Sequence, residues 1–286
     1  MLLGAPVAHA EWAEWIADLD IRYLDNDNMN NSAYSNDELD DKALIPSAKF
    51  GRYKQLGDAT RLLLTIDLEA GKFDDFDKLD YFQIGGTAAL RHKTGLGRAA
   101  PWVGGHVSAK SLNVDSRLRD STIYEVGVEA GKQLTERLDG SIKLAYESRD
   151  GEEGEVVDPA LGTDVFDQDS VTLTLEGNYL LTDRASVTAA YAYRDGDFNS
   201  SCTPGNVALA LAAETSNIDA ITFDDAFDPN FCVYRLDGTI NSVSLDLNYA
   251  VGAKSSFSVG IERRNGEGDT LDYDSTIWRV GFVYFH

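Results

Sequence analysis

The sequence contains no long hydrophobic run. None of its segments approaches the roughly 18 consecutive apolar residues of a membrane-spanning helix, and its mean hydropathy is −0.27. This absence excludes a helical membrane protein. It does not exclude a transmembrane β-barrel, because lipid-facing and lumen-facing side chains alternate along barrel strands and their hydropathies cancel.

Basic residues are scarce as well. The 286 residues include 48 acids and only 25 bases, so the formal net charge is −23. Such a surface repels phosphates, which argues against nucleic acid as a partner. The four histidines show no metal-ligand spacing, and the sequence has no phosphate-binding loop or haem-attachment motif. We therefore expect no cofactor.

Cysteine is nearly absent, and only Cys202 and Cys232 occur. In an oxidising compartment they would form a disulfide that closes a loop of about 30 residues and contributes roughly 3 kcal/mol. The alternative is two unrelated buried thiols.

The first ten residues end in Ala8-His9-Ala10, which fits the small-x-small cleavage site of a secretory leader. The charged region and most of the apolar core of a leader are missing, so the alternative is a disordered terminus. We interpret residues 1–10 as the remnant of a signal peptide and residues 11–286 as one domain.

Apolar and polar residues alternate with period two in segment after segment of this domain. In the last segment Trp278, Val280, Phe282 and Tyr284 fall on one face of an extended strand, because side chains alternate sides along a strand. A wholly apolar, aromatic-rich face needs an apolar solvent. The alternation predicts twelve strands of this kind.

The predicted connections alternate between two lengths. The short ones are residues 55–59, 94–97, 133–137, 180–184 and 251–254. The long, polar and acidic ones are residues 26–43, 72–80, 112–120, 150–169, 196–236 and 265–274. Short periplasmic turns and long extracellular loops are typical of outer-membrane barrels. The fold class predicted is therefore all-β, a closed antiparallel up-and-down transmembrane β-barrel with both termini periplasmic; the alternative is a soluble β-sandwich.

Aromatic residues gather at the strand ends and predict two interfacial girdles. The girdle near the short turns contains Trp15, Trp102, Tyr179, Tyr249, Phe257 and Tyr284. The girdle near the long loops contains Tyr23, Phe82, Tyr124, Tyr146, Tyr193 and Trp278.

The C-terminal segment from Arg279 to His286 resembles the β-signal of bacterial outer-membrane proteins, which reads polar-x-Gly-x-x-aromatic-x-aromatic. Gly281, Tyr284, Phe285 and His286 carry the resemblance, although His286 stands where the final aromatic is usually Phe. The resemblance implies a Gram-negative outer membrane, contact with lipid and lipopolysaccharide, and recognition by the barrel assembly machinery.

Acids and bases are nearly balanced on the predicted inward face, where ten acids stand against nine bases when Lys49 and Arg279 are counted. The residues predicted to line the lumen are Asp18, Asp20, Arg22, Arg61, Asp67, Glu69, Arg91, Lys110, Glu125, Glu129, Lys143, Glu147, Glu176, Arg194, Asp246, Glu262 and Arg264. A strongly ion-selective pore would show one sign of charge. Twelve strands enclose more space than the roughly eight whose interior side chains can fill, so this lumen is either a narrow pathway or an interior closed by ion pairs.

Segment 203–231 is the candidate plug or lid. Residues 206–214 favour a helix by composition, and Ile218, Ile221, Phe223, Phe227 and Phe231 are too apolar for a solvated loop. The alternative is a surface loop packed on its neighbours.

The acidic loops have two interpretations. They could bind Ca²⁺ through carboxylate oxygens, although none fits the EF-hand spacing, or they are solvated charge runs. They could also contact a basic protein partner.

His106 and Ser108 form a His-x-Ser pair on one face of a strand, which resembles the pair of outer-membrane phospholipases and lipid deacylases. The alternation turns both into the lumen rather than toward lipid, so we expect no enzymatic activity. The sequence predicts a small porin-like channel for passive diffusion of small solutes. The alternative is a closed barrel that binds a partner through its extracellular loops, and a lipid-active enzyme is the third hypothesis.

Overall fold

The computed structural model describes residues 12–97, 99–227 and 230–285. The predicted leader, residues 1–10, and the C-terminal His286 lie outside the described residues. The elements are β1 Trp12–Asn26, β2 Asp41–Gly57, β3 Thr60–Phe73, β4 Tyr81–Lys93, β5 Trp102–Val114, β6 Ser121–Gln133, β7 Leu138–Gly151, β8 Gln168–Leu180, β9 Ala185–Cys202, α1 Pro204–Ala213, β10 Ile218–Asp224, β11 Phe231–Ala250, β12 Ser255–Glu267 and β13 Asp272–Phe285. Within the described residues, no helix has the length and apolarity needed to cross a membrane.

Twelve of the strands form a closed antiparallel barrel. Each pairs with its neighbour in sequence, except that β9 pairs with β11 across the segment that contains α1 and β10. The first and last strands close the sheet in a register that sets Leu19 opposite Tyr284 and Ile21 opposite Phe282. The predicted twelve-stranded up-and-down barrel is confirmed, and closure leaves the barrel wall without a free edge.

The outer face of the barrel is an apolar belt. On β6, for example, Tyr124, Val126 and Val128 each expose at least half of their surface, and comparable apolar side chains occupy alternate positions on the other barrel strands. The opposite positions point into the barrel because strand side chains alternate. Exposed apolar surface this extensive requires an apolar surrounding medium.

The assignment of Trp102 to the girdle near the short turns is wrong. Trp102 lies on the inward face of β5, where the guanidinium of Arg91 stacks 3.3 Å from the centre of its ring. The neighbouring Val103 is the lipid-facing residue. Trp102 lies near the end of its strand, as a girdle residue does, but its side chain points to the opposite face from that of the lipid-facing Val103. Trp15, Tyr179, Tyr249, Phe257 and Tyr284 are exposed on the outer face at the short-turn end.

Two of the short turns share one geometry, as their similar sequences predict. In the turn after β6 the hydroxyl oxygen of Thr135 accepts hydrogen bonds from the N–H groups of Arg137 and Leu138. In the turn after β8 the hydroxyl oxygen of Thr182 accepts hydrogen bonds from the N–H groups of Arg184 and Ala185 in the same way. A threonine at the second position of a Leu-Thr-acid-Arg turn thus replaces a backbone acceptor.

The prediction of a loop over residues 196–236 is wrong for much of that segment. Strands β9 and β11 continue beyond the barrel wall to Cys202 and from Phe231, and β10 pairs with the start of β11. The resulting three-stranded sheet is covered on both faces, and four successive residues of β11, Phe231 to Tyr234, are apolar and buried without alternation. We call the described residues of segment 196–236 the cap.

The main buried hydrophobic core lies in the cap and not in the barrel. Tyr234 and Leu236 of β11 are fully buried against Phe198 of β9 and against Val207 and Ala210 of α1. The helix predicted from composition is confirmed as α1, which begins with proline at the first helical position, where the missing N–H costs nothing.

The cap and the charged interior as candidate functional site

The cap is bound by the first long loop, residues 27–40. Asp37 of that loop is buried, and its carboxylate accepts hydrogen bonds from the N–H of Thr203 at 2.7 Å, the Thr203 hydroxyl at 2.8 Å and the Asn206 amide at 2.7 Å. Thr203 itself makes no side-chain cap. A carboxylate from a different loop therefore satisfies a free N–H at the start of α1.

The other end of α1 is bound to the last long loop. Glu214 is fully buried, and its carboxylate accepts hydrogen bonds from the N–H groups of Asp269 at 2.7 Å, Thr270 at 2.8 Å and Leu271 at 2.7 Å. Burial alone would raise the pKa of Glu214, but the backbone N–H donors outweigh burial and lower that pKa. The carboxylate is therefore charged when the cap is in place.

The tip of the β10–β11 hairpin reaches the loops on the opposite side of the barrel. Asp224 is buried and forms an ion pair with Arg119 at 2.7 Å. Asp225 forms one with Lys78 at 2.7 Å and accepts a hydrogen bond from the Ser116 hydroxyl at 2.6 Å. Burial alone would raise the pKa of Asp225, but the Lys78 and Ser116 donors lower it.

The fourth long loop, residues 152–167, extends the cap sheet along its free edge. Gly162 donates its N–H to the carbonyl of Asp219 and accepts from the N–H of Ile221. The Arg235 guanidinium, on the adjacent strand, binds the Asp219 carboxylate at 2.9 Å and donates to the carbonyl of Asp164 at 2.8 Å. The cap thus contacts every other long loop, which extends it across the loop end of the barrel.

Three cavities with charged walls lie inside the barrel. The upper chamber, about 540 Å³, lies beneath the cap between Arg149, Arg194 and Phe198. The middle chamber, about 490 Å³, is lined by residues that include His106 and Lys110. The lower chamber, about 390 Å³, lies near the short turns, and the middle and lower chambers share Glu129 and Lys143 in their walls.

Ion pairs between neighbouring strands line the wall of the middle chamber. Glu125 accepts a hydrogen bond from Lys143 at 2.8 Å and contacts His106 at 2.5 Å. Lys49 lies 3.8 Å from Asp67. Four carboxylates line this chamber against three lysines, so its walls combine both signs of charge with a small excess of acid.

Most of the residues predicted to face the lumen line one of the three chambers: Asp67, Glu69, Arg91, Lys110, Glu125, Glu129, Lys143, Glu147, Glu176, Arg194, Glu262 and Arg264.

The remaining predicted lumen residues lie elsewhere. Arg22 pairs with both Asp20 and Glu69, and Asp246 pairs with Arg279. Asp18 and Arg61 line none of the three chambers.

Sequence reasoning missed two arginines of the upper chamber. Arg149 is absent from the predicted lumen residues because it directly precedes the predicted loop 150–169, whereas β7 continues to Gly151. Its even spacing from Lys143 and Glu147 was the signal that could have found it. Arg119 lies on a short 3-10 turn between β5 and β6, where no strand periodicity exists.

His106 and Ser108 both line the middle chamber. The imidazole packs over Gly127, where a Cβ would lie 2.3 Å from the ring, and contacts Glu125. No hydrogen bond joins His106 to Ser108 in the described part of the chain. The pair faces the barrel interior, as its position on the strand predicts.

Two other predictions concern the loops and the cysteines. No three metal-binding side chains come together in the described ranges, so the acidic loops show no assembled Ca²⁺ site there. Several of their carboxylates instead accept hydrogen bonds from neighbouring loops. Cys202 and Cys232 lie directly opposite each other in the β9–β11 ladder, and both are buried free thiols.

Comparison with known proteins gives the fold. No family model and no curated protein sequence matches this chain. The structure is similar to that of the COG4313 outer membrane channel from Pseudomonas putida F1, with a TM-score of 0.59, 13% identity, and coverage of 99% of this chain and 100% of that one. It is also similar to the NanC porin, with a TM-score of 0.50, 12% identity, and coverage of 94% and 99%. The chain has the fold of a bacterial outer-membrane β-barrel.

The comparisons also explain why the sequence resemblance was limited to one strand. At 12–13% identity the shared property is the alternation of lipid-facing and inward-facing residues, which fixes the architecture and leaves individual positions free. A barrel of this kind therefore matches in shape over almost its whole length while sharing few residues.

Proposed function

We propose that the chain is a channel of the bacterial outer membrane that passes small polar solutes by diffusion. The observation that carries the proposal is the set of three chambers along the interior of a barrel with an apolar outer face. A purely structural barrel would fill this space with packed side chains. The proposal places the short turns and both termini on the periplasmic side of the membrane and the cap on the extracellular side.

The cap controls access to the chambers in this proposal. Its tip contacts Lys78, Ser116 and Arg119 on the far side of the barrel, so solutes entering from outside pass around it or displace it. Charged side chains on the chamber walls narrow the path and favour small solutes over large ones.

Planar-bilayer recording on the purified chain tests the proposal. We expect single-channel steps from the wild type and larger or more frequent steps from the doubly substituted Glu214→Gln, Asp224→Asn chain, in which both ends of the cap are loosened. Absence of steps from both proteins, each shown by circular dichroism to be folded, would refute the channel.

A closed barrel that binds a partner through its loops is the second candidate. The contacts of the cap with all the other long loops favour it, because they make one continuous, rigid outer surface. This candidate predicts no conductance from either protein and a loss of partner binding when the cap is loosened.

The remaining assignments belong to the same proposal. The C-terminal strand, with Gly281, Tyr284 and Phe285, is the segment that the barrel assembly machinery would recognise, and the apolar belt contacts lipid and lipopolysaccharide. Cys202 and Cys232 would form a disulfide after export. His106 contacts Glu125 inside the barrel, which supports the prediction that the chain is not a lipid-active enzyme.

A further inference from the structure

The walls of the upper chamber carry an excess of positive charge, whereas the chain as a whole is strongly negative. Four arginines and two glutamates line it, whereas the chain as a whole carries a formal net charge of −23. The middle chamber has the opposite balance. A local excess of arginine in an acidic protein is a feature of the site and does not follow from composition.

Two of the four arginines are already paired with carboxylates. Arg119 binds Asp224 of the cap at 2.7 Å. Arg264 binds Glu262 at 2.5 Å, and the same glutamate also binds Arg279 at 2.7 Å. Glu262 is therefore shared between two guanidinium groups, one on each carboxylate oxygen.

The other two arginines have no carboxylate within ion-pair distance among the described residues. Arg149 donates to the Ser121 hydroxyl and to the Arg119 carbonyl, both at 2.9 Å, and its guanidinium lies 5.0 Å from the Phe166 ring centre. The Arg194 guanidinium makes no hydrogen bond or ion pair with the described part of the chain, although its backbone pairs in the sheet. Glu147 attracts both arginines through space, and Asp197 also attracts Arg194.

Half-buried guanidinium groups without an anionic partner are costly, because their charge has lost part of its hydration. A guanidinium also presents a planar set of donors that fits the oxygens of a carboxylate or a phosphate. Arg149 and Arg194 thus form an incomplete site whose missing component is an oxyanion.

The rest of the wall fits a small organic molecule. The volume of about 540 Å³ lies within the range of small-molecule sites. Phe166, Phe198 and Ile240 offer apolar contacts, and Asn199 and Gln168 offer amide groups. Both kinds of contact lie beside the arginines in the same chamber.

We propose that the upper chamber binds a small organic anion through its carboxylate or phosphate oxygens, between Arg149 and Arg194. The inference rests on the proposed channel function for the route of the solute, since it names the class of solute that the channel would take. The bound anion completes the charge balance that the protein side chains leave open.

Isothermal titration of the full chain in detergent with citrate, and separately with inorganic phosphate, tests the binding. We expect Arg194→Gln to weaken binding roughly tenfold to a hundredfold, the loss typical of one charge-assisted contact. The matched control is Lys110→Gln, which removes one positive charge from the middle chamber. Glu147→Gln removes the competing carboxylate and should tighten binding several-fold, a gain that misfolding cannot produce.

Each outcome is decisive. Absence of binding to the wild type, or an equal loss in Lys110→Gln, would overturn the anion site. Unchanged affinity in both Arg194→Gln and Glu147→Gln would overturn it as well. If the protein conducts but binds no anion, only the anion site is refuted. If it binds the anion but does not conduct, the anion site is supported and the channel is refuted.

Discussion

A carboxylate oxygen of Asp224 lies 2.7 Å from a guanidinium nitrogen of Arg119. This buried contact joins the tip of the cap to the opposite side of the barrel. It also sets one wall of the upper chamber, which Arg119 lines.

Removal of this ion pair should loosen the tip of the cap. Asp224→Asn leaves Arg119 with an unpaired charge, and breaking a buried pair typically costs about 3–5 kcal/mol. We expect faster hydrogen exchange of the amides in β10, measured by mass spectrometry. The control is Lys78→Gln, whose partner Asp225 is half exposed, so its loss should cost much less than loss of the buried pair. Equal protection in the two variants would contradict the prediction.

Acid should release the last long loop from α1. The pKa of Glu214 is lowered from its ordinary value of 4.5. The stabilisation that its charged carboxylate gives to the folded cap is therefore fully present above about pH 4.5. It is lost as the pH falls through the lower pKa of the folded protein. The measurement is hydrogen exchange of residues 268–271 in the wild type and in Glu214→Gln at each pH. The variant should exchange faster near neutral pH, and the difference should vanish in acid; a constant difference would be inconsistent with titration of Glu214.

Oxidation should link Cys202 to Cys232. Directly opposite residues of an antiparallel ladder have Cα atoms about 4.5–5.5 Å apart, within the range that a disulfide requires. We expect the intact mass of protein exported to an oxidising compartment to be lower by two hydrogens. The bond should stabilise the cap by roughly 3 kcal/mol, measured as slower exchange in β10. Two thiols still free after export would contradict the pairing.

Glycine at position 127 is required by the ring of His106. A Cβ there would lie 2.3 Å from the imidazole, so Gly127→Ala should displace His106 from Glu125 and destabilise the barrel by about 1–3 kcal/mol. The matched control is Gly105→Ala in the neighbouring strand, where the nearest atom is 3.4 Å away. Urea unfolding followed by circular dichroism measures both. A similar midpoint for the two variants would refute the packing argument.

The sequence predicted the barrel well because its signal repeats. Alternation on β6 or β13 places apolar side chains toward lipid, and one rule covers twelve strands. The cap did not follow that rule. Phe231 to Tyr234 is buried on both faces, so its apolar run has no period from which a strand could be recognised.

The candidate site was predictable only in part for a related reason. Inward residues such as Glu147 and Arg194 follow from strand parity. The charged groups that they approach do not follow from parity, because those depend on how the inward side chains of nearby strands reach one another and on side chains supplied by loops. Arg119 and Asp224 lie about a hundred residues apart in sequence, and nothing in either segment indicates that they meet.

Helix α1 receives Asp37 at its start and, through Glu214, residues 269–271 at its end. Asp37 follows β1, and residues 269–271 precede β13. These two strands form the one adjacent pair in the barrel that no loop connects. The helix therefore spans the joint between the two ends of the chain, and it supplies by hydrogen bonds the link that the covalent backbone lacks there. Loss of the helix contacts should therefore also weaken the link between the loop that follows β1 and the loop that precedes β13.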